Sequence, residues 1–177
     1  MAVFFTSDTH FGHAGAIPRF RRPFASVAEM DAAMTERWNA TVGPTDVVWH
    51  LGDFAVRRPA AAMADILGRL NGVKHLIGGN NDGADTRSLG GWASVRDYVE
   101  VEVDGVRLVL CHYALRTWNG QYRGAWNLHG HSHGQLKPMT RQRDMGVDVW
   151  DFRPVTVAEL TRPRRPVRQP GRAGSRT

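Results

Sequence analysis

A chain of 177 residues and 19.7 kDa suits a single domain that can bury a hydrophobic core without disulfide staples, and it is too short for two full domains. With 42% hydrophobic and 23% charged residues the composition excludes wholesale disorder, and no apolar run approaches the roughly 20 residues that a membrane span needs. The net charge of +6 is a property of one end: six basic residues and no acid fall in 161–177, leaving 17 basic against 17 acidic residues in 1–160.

Met1 to Asp8 carries no basic segment ahead of a long apolar one, so the sequence predicts a cytoplasmic protein with no membrane partner. Its one cysteine, Cys111, excludes an internal disulfide and a cysteine zinc cluster, which leaves His, Asp, Glu or Asn to bind any metal. Val3 to Ser7 is a β-prone run that breaks into the polar loop Asp8 to His13. Ser26-Val27-Ala28-Glu29 is a capping box, and Val27, Met30, Met34 and Trp38 follow at helical spacing, predicting a helix to about Asn39. Asp46 to Leu51 is a second strand, stopped by Gly52-Asp53. Pro59 to Leu70 is a second helix, ended by Gly72, and Lys74 to Ile77 is a third strand closed by Gly78 to Asp82. This order predicts an α/β sheet with helices on both faces.

The second half reads as antiparallel or mixed. Tyr98 to Val103 and Val106 to Cys111 flank the hairpin dipeptide Asp104-Gly105, Trp126 to Leu128 leads into His129-Gly130-His131-Ser132-His133, and Gly146 to Trp150 is one more expected strand. The domain is expected over 1–160. Residues 161–177, rich in Pro and Arg with one aliphatic side chain larger than alanine, form an expected disordered tail, read either as a solubilising end or as an arm for phosphate backbones.

Asp8, His10, Asp53, Asn80, His112, His131 and His133 each follow an apolar strand, and ligand sites in open α/β sheets gather beyond the carboxyl ends of strands. Two carboxylates, an amide oxygen and four imidazoles suit Mn, Fe, Zn, Co or Ni and are too many for one tetrahedral site. Taken singly, Asp-x-His, Gly-Asp and a Gly-Asn loop are common turns. The alternate histidines of 131–133 on an extended segment point the same way.

Asp8-Thr9-His10, Gly52-Asp53, Gly79-Asn80-Asn81-Asp82, His112 and Gly130-His131-Ser132-His133, in this order, resemble the calcineurin-like metallophosphoesterase superfamily, and the surrounding text is similar to a compact bacterial and phage subgroup of phosphoesterases. The resemblance implies a four-layer αββα sandwich of two mixed sheets flanked by helices. It implies one metal held by Asp8, His10, Asp53 and His133 and another by Asp53, Asn80, His112 and His131, with Asp53 bridging. Manganese is the expected occupant of both, with iron, zinc, cobalt or nickel as alternatives. Two cations so placed lower the pKa of a bridging water, whose hydroxide attacks phosphorus directly.

The sequence departs from the superfamily at Asn81, which stands where a histidine usually contacts the phosphate and helps to protonate the leaving group. Asparagine donates hydrogen bonds but delivers no proton, and losing a general acid typically costs about 10²- to 10⁴-fold. His13 is the candidate substitute, with an equal claim to a hydrogen bond that orients a ligand. Asp82 is expected to orient the Asn80 loop or a neighbouring histidine, and His50, His75 and His129 are expected to be structural. Arg19, Arg21 and Arg22 are candidates for gripping a phosphate, or else a solvated turn. Arg116, Trp118, Tyr122, Arg123 and Trp126 suit either a base-stacking loop or a packed cover. The expected function is hydrolysis of phosphate esters, with diesters or nucleotides preferred over monoesters. The alternatives are a nuclease or nucleic-acid end-processing phosphatase guided by the tail and, third, a non-catalytic scaffold, against which all seven ligand positions speak.

Overall fold

The computed structural model describes residues 1–162, so the expected tail lies outside the described residues from position 163 onward. The chain runs β1 (Val3–Thr6), α1 (Ala16–Phe20), α2 (Val27–Thr41), β2 (Val47–His50), α3 (Ala60–Arg69), β3 (Val73–Ile77), α4 (Ala84–Arg87), β4 (Trp92–Arg96), β5 (Tyr98–Val103), β6 (Val106–Cys111), β7 (Trp126–His129), β8 (Gln142–Asp144), β9 (Val155–Thr156) and α5 (Val157–Leu160). Two mixed sheets result, one in the order β4-β3-β2-β1-β9 and the other β5-β6-β7-β8. In the first, β1 to β4 are parallel and β9 runs antiparallel to β1. In the second, β5 and β6 form the expected hairpin, with Asp104 (φ 51°) and Gly105 (φ 74°) both left-handed as a tight hairpin turn requires, while β7 and β8 continue in parallel.

Alternation along the strands builds two cores. Phe4, Val48 and Leu76 face α2 and α3, where they meet Met30, Met34, Trp38, Met63, Ile66 and Leu67. Their neighbours Phe5 and Ile77 face the other sheet and pack against Leu108, Leu110 and Leu128. Each such side chain contributes about 1.5–3 kcal/mol on leaving water. The helices α2 and α3 therefore cover one face of the first sheet, and the second sheet, rather than more helices, covers the other. On the outer face of the second sheet a thinner layer forms, where Leu115, Trp118 and Ala125 pack on Val109.

Local signals explain the boundaries. Ser26 Oγ accepts from Glu29 N–H (3.2 Å) and Glu29 accepts from Ala25 N–H (2.7 Å), starting α2 at the predicted place. The predicted strand over 146–150 is corrected. Only Gly146 bridges to Ser7, and Val147–Val149 is a 3-10 turn, because Val149 N–H returns to Gly146 O (3.0 Å) and so turns the Asp148 carboxylate inward. The strands β4, β8 and β9 and the helices α1, α4 and α5 were not legible, being six residues or fewer with weak apolar periods. Among the described residues no helix is long and apolar enough to cross a membrane.

Candidate metal centre

Beyond the ends of β1 and β2 the backbone pairing continues into the loops. Asp8 N–H donates to Gly52 O (2.9 Å), His10 N–H to Asp53 O (3.0 Å) and Phe11 N–H to Phe54 O (2.9 Å), which sets Asp8, His10 and Asp53 side by side. Five of the seven candidate ligands hold left-handed backbones: Asp8 (φ 55°), His10 (50°), Asp53 (59°), His131 (68°) and His133 (47°). Such conformations cost about 1–3 kcal/mol each and persist only where the surroundings impose them, which points to a site. The glycines of the motifs serve close approach. A Cβ on Gly52 would strike the His112 ring, and one on Gly130 would strike Ser7 and Asp8.

The side chains converge from both sheets. His10 Nε2 lies 3.6 Å from Asp53 Oδ2, and His112 Nε2 lies 3.6 Å from Asp53 Oδ1, so the two carboxylate oxygens face two imidazoles. His133 Nε2 is 3.9 Å from Asp8 Oδ1. Asn80 Oδ1 lies 3.0 Å from His112 Nε2 and 2.8 Å from His131 Nδ1. Two groups, Asp8-His10-His133 and Asp8-Asp53-His112, each bring their ligand atoms within 4.8 Å of one another.

The donor chemistry fits cations. His112 Nδ1–H donates to Leu51 O (2.7 Å), and burial lowers the ring's pKa, so its neutral Nε2 presents a lone pair to the lone pairs of Asn80 Oδ1. Both ring nitrogens of His10 are buried without a partner, and burial, followed by the charge of Arg22, pushes its pKa down to about 2. Burial, then repulsion from Asp144 and Asp53, raises Asp8 well above the carboxylate range. Carboxylate and amide oxygens and imidazole nitrogens facing inward are what divalent transition metals take up, and a bound cation would relieve the crowded negative charge that raises Asp8.

A layer of polar side chains aims these ligands. Asp82 accepts from the N–H groups of Asp53 (2.7 Å), Phe54 (3.0 Å) and Gly79 (2.8 Å), tying the Asp53 and Asn80 loops together. His133 Nδ1–H donates to Asp148 Oδ2 (2.7 Å), which turns Nε2 toward Asp8. Asp144 accepts from Ser132 Oγ (2.9 Å) and Gly134 N–H (2.7 Å), fixing the loop that carries His131 and His133. Asp148 and Asp144 were missed by sequence reasoning; the one signal was an acid inside the apolar run Val147-Asp148-Val149.

Asn81 donates through N–H to Asp53 Oδ1 (2.8 Å) and through Nδ2 to Asp53 Oδ2 (2.6 Å) and lines the cavity over the centre. His13 lines the same cavity, 5.4 Å ring to ring from His10; burial, then the charges of Arg22, Arg57 and Arg19, lower its pKa. The arginine expectations are corrected. Arg22 is buried, and its guanidinium is consumed by Asp148 (2.8 and 3.0 Å), Thr9 O (2.9 Å) and Asp8 O (2.7 Å), so it braces the centre and does not meet solvent phosphate. Arg116 is exposed and lies outside the cavity lining, while Arg21 borders only an adjoining depression that it shares with Arg19. Arg19 itself lines the cavity. Trp118 is buried with Nε1–H bonded to Ala125 O (2.9 Å), and Arg143 stacks on Trp126, so these two aromatic side chains pack into the fold, whereas Arg116, Tyr122 and Arg123 of the same loop are exposed.

The remaining histidines are structural. His50 is fully buried among Trp38, Phe54 and Trp92, and burial lowers its pKa to about 3. Thr9 Oγ donates to Phe54 O (2.8 Å), so the bond between His50 Nε2 and Thr9 Oγ (2.9 Å) has the imidazole as donor. His75 stacks on Trp49, and His129 Nδ1–H donates to Gly130 O (2.8 Å).

Two mixed sheets with a cluster of His, Asp and Asn at their joint edge define a metal-dependent phosphoesterase domain. Residues 1–152 match the calcineurin-like phosphoesterase superfamily domain, and the chain belongs to that superfamily. It is 32% identical over 181 residues to the gene 66 protein of Mycobacterium phage D29, covering 84% of this chain and 88% of that protein. It is 29% identical over 163 residues to an uncharacterized protein of Methanocaldococcus jannaschii, covering 88% and 86% respectively. A crystal structure of a protein of unknown function from Aquifex aeolicus shares the fold, with a TM-score of 0.73 at 22% identity over 89% of this chain and 96% of that one.

Proposed function

We propose that the chain hydrolyses phosphodiesters or nucleotide esters at a dinuclear centre, with Asp8, His10, Asp53 and His133 holding one divalent cation and Asp53, Asn80, His112 and His131 the other. The observation that carries this reading is Asp53, whose two oxygens face His10 and His112 at 3.6 Å each, the arrangement of a bridging carboxylate. Bound cations, manganese first among them, would supply an activated water and neutralise charge developing at phosphorus. The chain's own residues then position the ester. Asn81 holds Asp53 and offers hydrogen-bond donors but no proton. His13, neutral near pH 7 by its lowered pKa, serves as a hydrogen-bond partner at the cavity wall more than as a strong acid. Ser132 commits its hydroxyl to Asp144, which leaves water as the nucleophile.

Two features support diesters over monoesters. Without a ready general acid, the reaction depends on a leaving group that departs with little protonation, such as an aryl oxide or a nucleotide. Arg19 is the one Lys or Arg lining the cavity among the described residues, which suits a monoanionic diester better than a dianionic monoester. The test is steady-state hydrolysis of bis-(p-nitrophenyl) phosphate and p-nitrophenyl phosphate with Mn²⁺, alongside metal content. Diester turnover lost in Asp53→Asn, with close to two ions per wild-type chain, is expected. A wild-type chain that binds no metal and turns over neither ester would replace this reading with the scaffold.

A further inference from the structure

A second cavity, of about 460 Å³, lies behind the loop that carries His131 and His133, and its volume is that of a small-molecule site. The segment from His131 to Lys137 parts it from the cavity over the centre. His131, His133 and Gln135 line the one, Gly134 and Lys137 line the other, and Leu136 borders both. All seven candidate metal ligands lie outside the lining of the second cavity, so what it holds is independent of the ester-hydrolysis reading.

The polar groups around it differ in what they have left to offer. Asp144 is spent, because its carboxylate accepts from Ser132 Oγ (2.9 Å), Gly134 N–H (2.7 Å) and Gly146 N–H (2.8 Å). Arg143 directs its guanidinium to Leu160 O and Gln142 O (3.1 Å each) and still brings its charge to the lining. Lys137 is exposed at the rim and, among the described residues, has no carboxylate partner. His129 is only 3% exposed, and its Nδ1–H donates to Gly130 O (2.8 Å), so Nε2 presents a lone pair that no donor among the described residues reaches. In a side chain so buried, the cavity that it lines is the route by which a donor can reach Nε2. Leu136, Met139 and Val149 supply the apolar part of the wall.

We infer that this cavity is a second ligand site, for a small carboxylic acid that has an apolar body and a hydroxyl or N–H group. Two cationic side chains beside a carboxylate whose oxygens are already taken attract an anion, and a single lysine without a partner suits a monoanion better than a dianionic phosphate. The carboxylate meets Lys137, the apolar body lies on Leu136, Met139 and Val149, and the hydroxyl or N–H donates to His129 Nε2. A buried imidazole, a rim lysine and an apolar wall thus each take a different part of one molecule. The sequence reading took His129 as structural and attached nothing to Lys137. Only the folded chain sets the two on one cavity.

The test is calorimetric titration of the full chain, loaded with Mn²⁺, with 4-hydroxyphenylacetate, compared with 4-hydroxyphenylacetamide, which lacks the charge, and with phenylacetate, which lacks the hydroxyl. One hydroxy acid is expected to bind per chain, with a Kd of about a millimolar or tighter. The amide should bind about tenfold more weakly, for loss of a charge-assisted hydrogen bond, and phenylacetate about threefold more weakly, for loss of a neutral one. Lys137→Gln is expected to remove most of the margin between acid and amide. Met139→Glu, which sets a like charge against the ligand, should cut affinity for the acid about fivefold or more. Both positions are exposed, so neither substitution endangers the fold. No saturable binding, an amide or a phenylacetate that binds as tightly as the hydroxy acid, or affinities unchanged in both variants overturns the site. Repeating the titration after chelation of Mn²⁺ separates this cavity from the metal centre. Binding behind the loop persists without the ions, whereas binding that disappears with them belongs to the centre and overturns the inference. A protein that hydrolyses no ester yet shows these margins keeps the second site and loses the function proposed above.

Discussion

The two halves of the proposed metal centre are built differently. Asp8, His10 and His133 are held by a buried network in which Arg22 bonds the backbone of Asp8 and Thr9 and the Asp148 carboxylate, and Asp148 in turn bonds His133. Asn80 and His131, on the other side, are exposed and lean on each other and on His112. Buried charge is stable when it is paired and hydrogen-bonded, so the Arg22–Asp148–His133 brace of the first half is stiff before any ion arrives, although both His10 ring nitrogens lack a hydrogen-bond partner. In the second half Asn80 and His131 are open to solvent, while His112 beneath them is buried.

Asp53 belongs to both halves, and its loss is the largest expected effect. Asp53→Asn should lower diester turnover by at least about 10³-fold and leave fewer than two ions bound, checked by kinetics and elemental analysis. Retention of two ions would break the idea that one carboxylate joins the halves. Next, Asp148→Ala frees His133 and leaves Arg22 buried without its partner. Metal affinity of the first half should fall about 10- to 100-fold, read by competition with a chelator, and thermal stability should fall with it. Asn80→Ala, by contrast, should weaken only the looser ion by a smaller factor without lowering the melting temperature of the metal-free protein. An equal loss of stability in the two variants would erase the contrast.

The smallest effect concerns His50, which braces Thr9 inside the stiff half. Its pKa is near 6.5 when unfolded and about 3 when folded, so between these values the unfolded chain binds a proton that the folded chain refuses. Stability from this group is therefore lost as pH falls from about 6.5 toward 3, by up to about 1.4 kcal/mol per pH unit. Urea midpoints at pH 7, 6 and 5 should show a shallower decline in His50→Gln than in the wild type. Parallel lines would show that His50 titrates freely in the folded protein.

Much of this molecule was readable from its residues. Apolar runs with β-branched and aromatic side chains announced β1, β2, β3 and the β5-β6 hairpin, and the capping box announced α2, because these signals act over a few neighbours. All seven candidate ligands stood out as polar residues that follow apolar strands. The Val147-Asp148-Val149 alternation misled, since a period of two is shared by a strand and by a turn whose central acid is pulled inward. Arg22 misled for the same kind of reason. A surface turn before Pro23 and a buried brace look alike until the distant Asp148 is brought beside it.

What the sequence by itself determined is the set of chemical groups and the strand ends that carry them, because ligand type and strand propensity are local properties. The tertiary structure alone decided which groups face each other across Asp53, which arginine is buried rather than free, and which aromatic side chains stand open beside the centre. These depend on the packing of two sheets face to face, which brings residue 22 to residue 148 and residue 8 to residue 131, and no local pattern encodes such distances.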